Sequence, residues 1–476
     1  MSASVGHIGR VYREGAFFGT FLVGEHSFTY TKDMTRSVQK ASAVENKKFL
    51  NDVEHFPRAI LHVDGDSFFA SCEIARRPWL RDTPVVTGRE RGIASSMNYV
   101  AKRLGISRAM RLSEIRKKCP DVIIFSSDYE TYSIYAHRMY SIVRRYTPHV
   151  EEYSIDECFA DLTDCVGPGH VYATYAELVA RIKYDLESSL GLTFSLGLAV
   201  NKVCAKIAST WNKPSGLTLM GIHDMDPYLT TLPIGKVWGI GRSTSIALKK
   251  QGIHMAQDLA RRDRAWVRAS FPKPIQEIYE ELHGNQALSL SCIHEDQSSI
   301  QRTRTFRPSS GDKEIIFSEL SHNIEGACSK LRRQGAVTWH VSFFIKTQDF
   351  RYCGMEIELA RPVSTPGEII RSVREKFGKV FIPGLVYRAT GVTLRGLMMP
   401  HTVTGSLFDT GVVEDSLHKV YAAADRMGRK YGGQTLFLAS SFQAYKKDDG
   451  EVRHSRHVKG NIYRRRFAIP FLGEVT

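Results

Sequence analysis

A chain of 476 residues is longer than one ordinary hydrophobic core organises, which sets an expectation of two to four domains. Its 42% hydrophobic and 24% charged residues exclude a disordered chain, and no stretch approaches the roughly 20 apolar residues that span a bilayer. Lys and Arg number 65 against 50 Asp and Glu, a formal net charge of +15. That balance favours a polyanionic partner, nucleic acid first, or equally a basic surface kept for solubility.

Residues 1–56 hold one short apolar run, Phe17 to Val23, and read as an N-terminal extension of unknown role. It is either an appended strand-forming segment or an over-called start upstream of Met34. No signal-peptide pattern opens the chain. The eight cysteines (Cys72, Cys119, Cys158, Cys165, Cys204, Cys292, Cys328, Cys353) form no CxxC pair and no zinc-site spacing. They read as buried free thiols in a reducing cytoplasm.

Arg58 to Val63 (RAILHV) is a β-branched, apolar run that predicts a buried strand, ending at Asp64-Gly65-Asp66 before a helix-like Ser67 to Ile74. Val150 to Leu162 has strand character on both sides of Asp156-Glu157, the pattern of a hairpin with acids at its tip. Tyr172 to Ser189 predicts a helix, Phe194 to Val200 a strand, and Lys202 to Trp211 a helix stopping before Lys213-Pro214-Ser215-Gly216. This order suggests an antiparallel sheet backed by helices. Val237-Trp238-Gly239-Ile240-Gly241 then opens a helical stretch, Ser243 to Gln251. From about Ile300 to Leu397 a second α+β unit follows, with strands at Val341 to Lys346, Met355 to Leu359 and Ala389 to Leu394. Its helices are at Ile315 to Arg333 and Glu368 to Phe377. Tyr445 to Arg466 is polar and basic, the composition of a flexible segment.

Phosphoryl transfer to a nucleotide uses two divalent cations about 3.5 to 4 Å apart, and three carboxylates suffice to hold them. Magnesium takes hard oxygen ligands, so Asp64, Asp156 and Glu157 form a candidate cage. Taken singly, acids at strand ends are more often solvated turn formers.

The surrounding text is more specific. HVDGDSFFASCE (His62 to Glu73) and YSIDECFADLT (Tyr153 to Thr163) resemble the two metal-binding motifs of Y-family DNA polymerases. The resemblance continues through SSMNYVAKRLGI (Ser95 to Ile106), SLGLAVNKVCAKIASTWNKPSGL (Ser195 to Leu217) and VWGIGRSTSIALKKQGI (Val237 to Ile253), in order across residues 58–400. It implies an α+β multidomain, right-hand polymerase. The implied parts are a ferredoxin-like palm (57–67 and 128–220), small fingers (68–127), a helical thumb with a helix-hairpin-helix (221–295) and an α+β little finger (300–397). A C-terminal extension (398–476) completes the chain.

By the same resemblance Asp64, Asp156 and Glu157 are the metal ligands and catalytic residues, for two Mg²⁺ ions with Mn²⁺ as a substitute. Gly65 offers a carbonyl nearby and Asp66 is structural. Phe69 falls at the steric gate under the incoming sugar, and Ser96, Tyr99 and Lys213 at positions that contact the triphosphate. Lys102 stands where the family commonly has arginine; it keeps the charge and loses the bidentate fork. Arg111 follows Ala109-Met110 where many relatives have proline, with no consequence we can derive. Gly239 and Gly241 match a turn that grips the DNA backbone. Arg302, Arg304, Arg332, Arg333, Lys346, Arg388 and Arg395 are candidates to line phosphates in the little finger. Thr404 to Asp409, with Leu407 and Phe408, resembles the sliding-clamp peptide of bacterial polymerases, with Thr404 where glutamine is usual.

The implied activity is error-prone translesion DNA synthesis on primer-template DNA from deoxynucleoside triphosphates. Implied partners are the replication clamp and mutagenesis accessory proteins. Three rivals stand beside it: a catalytically dead relative, which would have lost these carboxylates; a sequence-tolerant DNA-binding protein; and a nucleotidyl cyclase, against which the thumb and little-finger signals weigh.

Overall fold

The computed structural model describes residues 55–292, 297–399, 411–431 and 435–446, with a short antiparallel pairing of Leu22–Val23 and His26–Ser27. Leu407 and Phe408, most of 1–56 and nearly all of the basic 445–466 stretch lie outside the described residues. The chain divides between Ile293 and His294 into two compact units.

In the first unit, β1 (Ile60–Gly65) has its first four residues buried ahead of Asp64, as a central strand covered on both faces requires. It leads into α1 (Phe68–Ala75) through Ser67, held in the left-handed region at φ 50°. A small sheet follows, made of β2 (Val85–Thr87), β3 (Ser96–Met97) and β4 (Ile123–Phe125) in the order β3-β2-β4, with α2 (Tyr99–Arg103) and α3 (Leu112–Lys118). Asn98 ties this sheet to its helix: its side-chain oxygen accepts from Ala101 N at 3.0 Å, capping α2, and from Val85 N at 3.1 Å.

The chain then returns through α4 (Tyr129–Val143), the hairpin β5 (Val150–Ser154) and β6 (Glu157–Asp161), α5 (Tyr175–Leu190), β7 (Phe194–Ala199), α6 (Lys202–Trp211) and β8 (Leu217–Met220). With β1 these strands form a five-stranded sheet in the order β8-β7-β1-β6-β5. The expected antiparallel sheet holds for all but one pair: β8 runs parallel to β7, across the connection made by α6. Where α6 crosses β7, Gly197 leaves no room for a side chain; a Cβ there would lie 2.1 Å from Ser209 N.

Five short helices complete the unit: α7 (Met225–Thr231), α8 (Arg242–Lys250), α9 (Ala256–Ala260), α10 (Arg264–Ser270) and α11 (Lys273–Leu282). They share the apolar core of the five-stranded sheet through Ile234, Val237, Leu248 and Ile278. The Gly239-Ile240-Gly241 turn has φ +86° at Gly239, and Gly241 is the N-cap of α8.

The second unit is β9 (Ser299–Ser310), α12 (Lys313–Arg333), β10 (Val337–Thr347), β11 (Tyr352–Val363), α13 (Pro366–Val380) and β12 (Tyr387–Met398), in the all-antiparallel order β9-β12-β10-β11. Ile316, Leu320 and Ile324 of α12 and Val373 and Phe377 of α13 cover one face of the sheet, over Val341, Phe343, Ile345, Val392 and Leu394. Two elements escape the sequence reading. In β9 only Ile300 and Phe306 are buried, so the strand shows almost no apolar pattern. α14 (Gly411–Tyr431) docks on α12 largely through polar groups: Asp425 accepts from Ser329 at 3.0 Å and from Arg332. Farther on, the Leu438 N–H and the Ser441 hydroxyl both donate to Glu325 of α12. Of the eight cysteines, all free, five are buried as expected, two are half-buried and Cys292 is exposed.

Candidate active site

Pairing of β1 with β6 sets Asp64 directly opposite Glu157. Asp156 occupies the turn just before β6, and its carbonyl accepts from Gly65 N at 2.8 Å, lacing the end of β1 to the hairpin. The Asp156 carboxylate accepts from Ser154 Oγ at 2.6 Å. Asp64, Asp156 and Glu157 therefore fall at one corner of the sheet, Asp64 and Glu157 with carboxylate oxygens within 4.8 Å of each other.

Cations crowd that corner. Lys213 Nζ lies 2.5 Å from Asp64 Oδ1, and Lys206 of α6 pairs with Glu157 Oε2. Burial still dominates at Asp64: despite Lys213 it raises the carboxyl to about 6, with Glu157 and Asp156 adding repulsion. At Glu157 burial pushes upward too, but hydrogen bonds from His62 and Lys206 outweigh it and hold the acid at about 2. The two facing acids are thus pushed apart, Asp64 toward its protonated form by burial and Glu157 toward its ionised form by its hydrogen bonds.

His62, two residues before Asp64 on the same strand face, was not among the predicted site residues. Its Nε2 lies 3.1 Å from Glu157 Oε2 and its Nδ1 2.7 Å from Ser209 Oγ. Burial lowers the imidazole to about 4, so the ring is neutral. Ser209 Oγ also donates to Lys206 O at 3.0 Å, so the neutral ring has one proton to share between Glu157 and Ser209, and its tautomer sets which nitrogen donates. The ligand atoms of His62, Asp64 and Glu157 lie within 4.8 Å of one another. The carboxylate oxygens among them fit a hard divalent cation. The strand period of two could have flagged His62; Lys206 and Ser209, three apart on α6, needed the helix seated on β7.

Beyond the acids, Asp66 is buried and accepts from Ser195 Oγ at 2.9 Å and Ser215 N at 2.7 Å, anchoring the segment that carries Lys213. Tyr99 hydrogen-bonds to Asp66, and burial with the nearby acids raises its hydroxyl. Lys102 Nζ sits 3.9 Å above the Tyr99 ring; burial, then repulsion from Lys213, lowers its ammonium. Ser96 Oγ donates to Ser67 O at 3.2 Å. Phe69 stacks on Tyr132 at 4.6 Å and 12° and meets Tyr129 edge-on. Trp238, beside the Gly239 turn, donates its indole N–H to Tyr153 OH and lies within 5.6 Å of Lys206.

The basic residues expected to line phosphates in the little finger fall on both faces of its sheet. Arg302 stands opposite Val392 and Arg304 opposite Thr390, on the strand face that α12 covers. A Cβ at Gly326 would meet Arg302, and Arg304 lies 3.6 Å from Glu319. Arg332 is tied into the unit, its guanidinium bidentate on Asp425 at 2.7 and 2.9 Å. None of these three lies on the bare face of the sheet; Lys346 and Arg395 do.

Acids paired across two antiparallel strands and ringed by lysines, on a sheet with a small mixed unit and a helical unit appended, define a right-hand polymerase. The impB/mucB/samB family matches residues 63–210 and its C-terminal domain residues 297–407. A DNA polymerase IV of Desulfatibacillum aliphaticivorans is 30% identical over 380 residues, 79% of this chain and 95% of that protein. A DNA polymerase IV of Methanoculleus marisnigri is 31% identical over 343 residues, 71% and 94% of the two chains. The fold resembles the Y-family DNA polymerase chimera Dbh-Dpo4(243-245)-Dbh at a TM-score of 0.62 and 21% identity, covering 72% of this chain and 99% of that one. This chain belongs to the impB/mucB/samB family, the Y family of metal-dependent translesion DNA polymerases. Among the described residues no helix is long and apolar enough to cross a membrane.

Proposed function

We propose that this chain extends a DNA primer on a template by nucleotidyl transfer, with Asp64, Asp156 and Glu157 as its catalytic and metal-holding residues. The observation that supports this reading is the opposition of Asp64 and Glu157 beside the Asp156 turn, with Lys213, Lys102 and Tyr99 alongside. Two Mg²⁺ ions, or Mn²⁺ in their place, would activate the primer 3′-hydroxyl and neutralise the triphosphate. The protein's own contribution is placement. Lys213 and Lys102, with the Tyr99 and Ser96 hydroxyls, receive the phosphates as compact donors. Phe69, backed by Tyr132, is the wall that a 2′-hydroxyl would strike. The 3′-hydroxyl attacks the α-phosphate in line and pyrophosphate leaves.

In this reading the palm is 57–67 and 128–220, the fingers 68–127, the thumb 221–295 and the little finger 300–397. The Gly239 and Gly241 turn holds a DNA phosphate at the start of α8. Leu407 and Phe408 engage the sliding clamp, and mutagenesis accessory proteins are further partners. The test is primer extension with Mg²⁺ and four deoxynucleotides, comparing wild type with Asp156→Ala/Glu157→Ala. Extension lost in the variant while DNA binding persists supports the reading. No extension by wild type, even with clamp added, makes the chain a scaffold or a partner-dependent subunit.

A further inference from the structure

The bare face of the four-stranded sheet carries an aromatic and cationic corner to which the catalytic reading gives no role. Phe344 on β10 stands opposite Gly354 on β11 and Gly391 on β12. A Cβ at Gly391 would lie 2.3 Å from Phe344 Cε1, so the ring lies down across β12 in a way only glycine permits. Tyr352 meets Phe344 edge-on at 5.1 Å and is 63% exposed. Phe350, at the tip of the β10–β11 hairpin, is 60% exposed and holds φ +70°, a region that ordinary side chains avoid. The tip is pinned there: Phe350 N donates to Thr347 O at 3.1 Å, and Gln348 N to Val386 O at 2.9 Å.

Two cations attend these rings. Arg388 Cζ lies 4.3 Å from the Phe350 centroid; Lys346 Nζ lies 4.9 Å from Phe350 and 4.3 Å from Tyr352, whose hydroxyl it also reaches at 2.8 Å. The neighbouring arginines are matched by acids, Arg351 by Asp349 and Arg395 by Glu356, each at 2.6 Å. Exposed rings in a strained, pinned turn do little for packing. Aromatic faces flanked by cations are what an unstacked base and its phosphates need, whatever the base.

We propose that Phe350 and Tyr352, floored by Phe344, form a stacking site for unpaired nucleobases of single-stranded DNA, with Arg388 and Lys346 holding the adjacent phosphates. The proposal rests on the DNA-polymerase reading for the source of the strand, the unpaired part of a template. The experiment uses the full chain and a short single-stranded oligonucleotide carrying 2-aminopurine, with blunt duplex binding and primer extension measured in parallel. Phe350→Ala/Tyr352→Ala is expected to weaken single-strand binding about tenfold, abolish the 2-aminopurine signal change and spare duplex affinity. Phe350→Leu keeps apolar bulk without a π face and should lose the signal likewise, whereas Phe350→Trp should retain it. Wild-type single-strand affinity and signal in the alanine variant, or full retention in the leucine variant, overturn the stacking site. Primer extension by wild type alone decides the catalytic reading, so the two can fail separately.

Discussion

In the five-stranded sheet two acids meet because strand register alone puts Asp64 across from Glu157. In the four-stranded unit Arg332 finds its acid 93 residues away at Asp425, beyond the end of the family match at residue 407. The first arrangement lies inside the stretch matched by the family; the second is made with a segment beyond that match. The difference teaches that a basic residue's place in the sequence does not reveal a partner that lies far along the chain. An appended segment with a few well-placed acids can turn such a residue into structural cement.

The sharpest break in this comparison is Asp64→Asn, which keeps the shape and removes the charge. Metal-assisted charge stabilisation contributes several kcal/mol, so single-turnover extension should fall by at least about 10³-fold. A loss under tenfold would mean that Glu157 and Asp156 suffice. His62→Gln comes next: it disturbs the orientation of Glu157 without removing an acid, and should cost about 10 to 100-fold in rate or in apparent Mg²⁺ affinity. A magnesium titration of extension separates the two.

On the other side, Asp425→Ala leaves the Arg332 guanidinium, only 12% exposed, without its acid. The second unit should lose about 2 kcal/mol, read as a lower midpoint in thermal unfolding or faster proteolysis after α14. Catalysis on short templates should hardly change, and a catalytic defect as large as that of Asp64→Asn would erase the distinction between the regions. The smallest effect concerns Glu325, which burial raises to about 6 despite its hydrogen bonds from Ser441 and Leu438. A carboxyl raised above its unfolded value of 4.5 contributes stability that is full below about pH 4.5 and is lost as pH rises through 6. Protection factors at 435–446, corrected for the intrinsic pH dependence of amide exchange, should therefore be higher at pH 5 than at pH 7, by an amount worth at most about 2 kcal/mol; equal protection at both would put Glu325 in an ordinary carboxylate environment.

Much of the acidic corner is legible in the sequence because apolar runs stop abruptly at acids. β1 ends at Asp64-Gly65, and the β5–β6 hairpin breaks at Asp156-Glu157. α6 is legible too, from the helical run Lys202 to Trp211 and the Lys213-Pro214 stop. His62, Lys206 and Ser209 stay hidden as a group because three residues from two elements become neighbours only after α6 settles on β7. In the second unit β9 is nearly all polar, and without recognising it the alternation that turns Arg302 and Arg304 toward α12 cannot be read. No local pattern links Asp425 to Arg332.

Gly197 has no side chain and no chemistry, yet it sets how close α6 can come, and α6 carries both Lys206 and Ser209. Any bulkier residue there would act as a wedge under a lever. The helix would lift, Ser209 would withdraw from His62, Lys206 would slide along Glu157, and the acid would lose its aim with every catalytic residue still in place. The tolerance of this acidic corner is set by a position that no inventory of reactive groups would include.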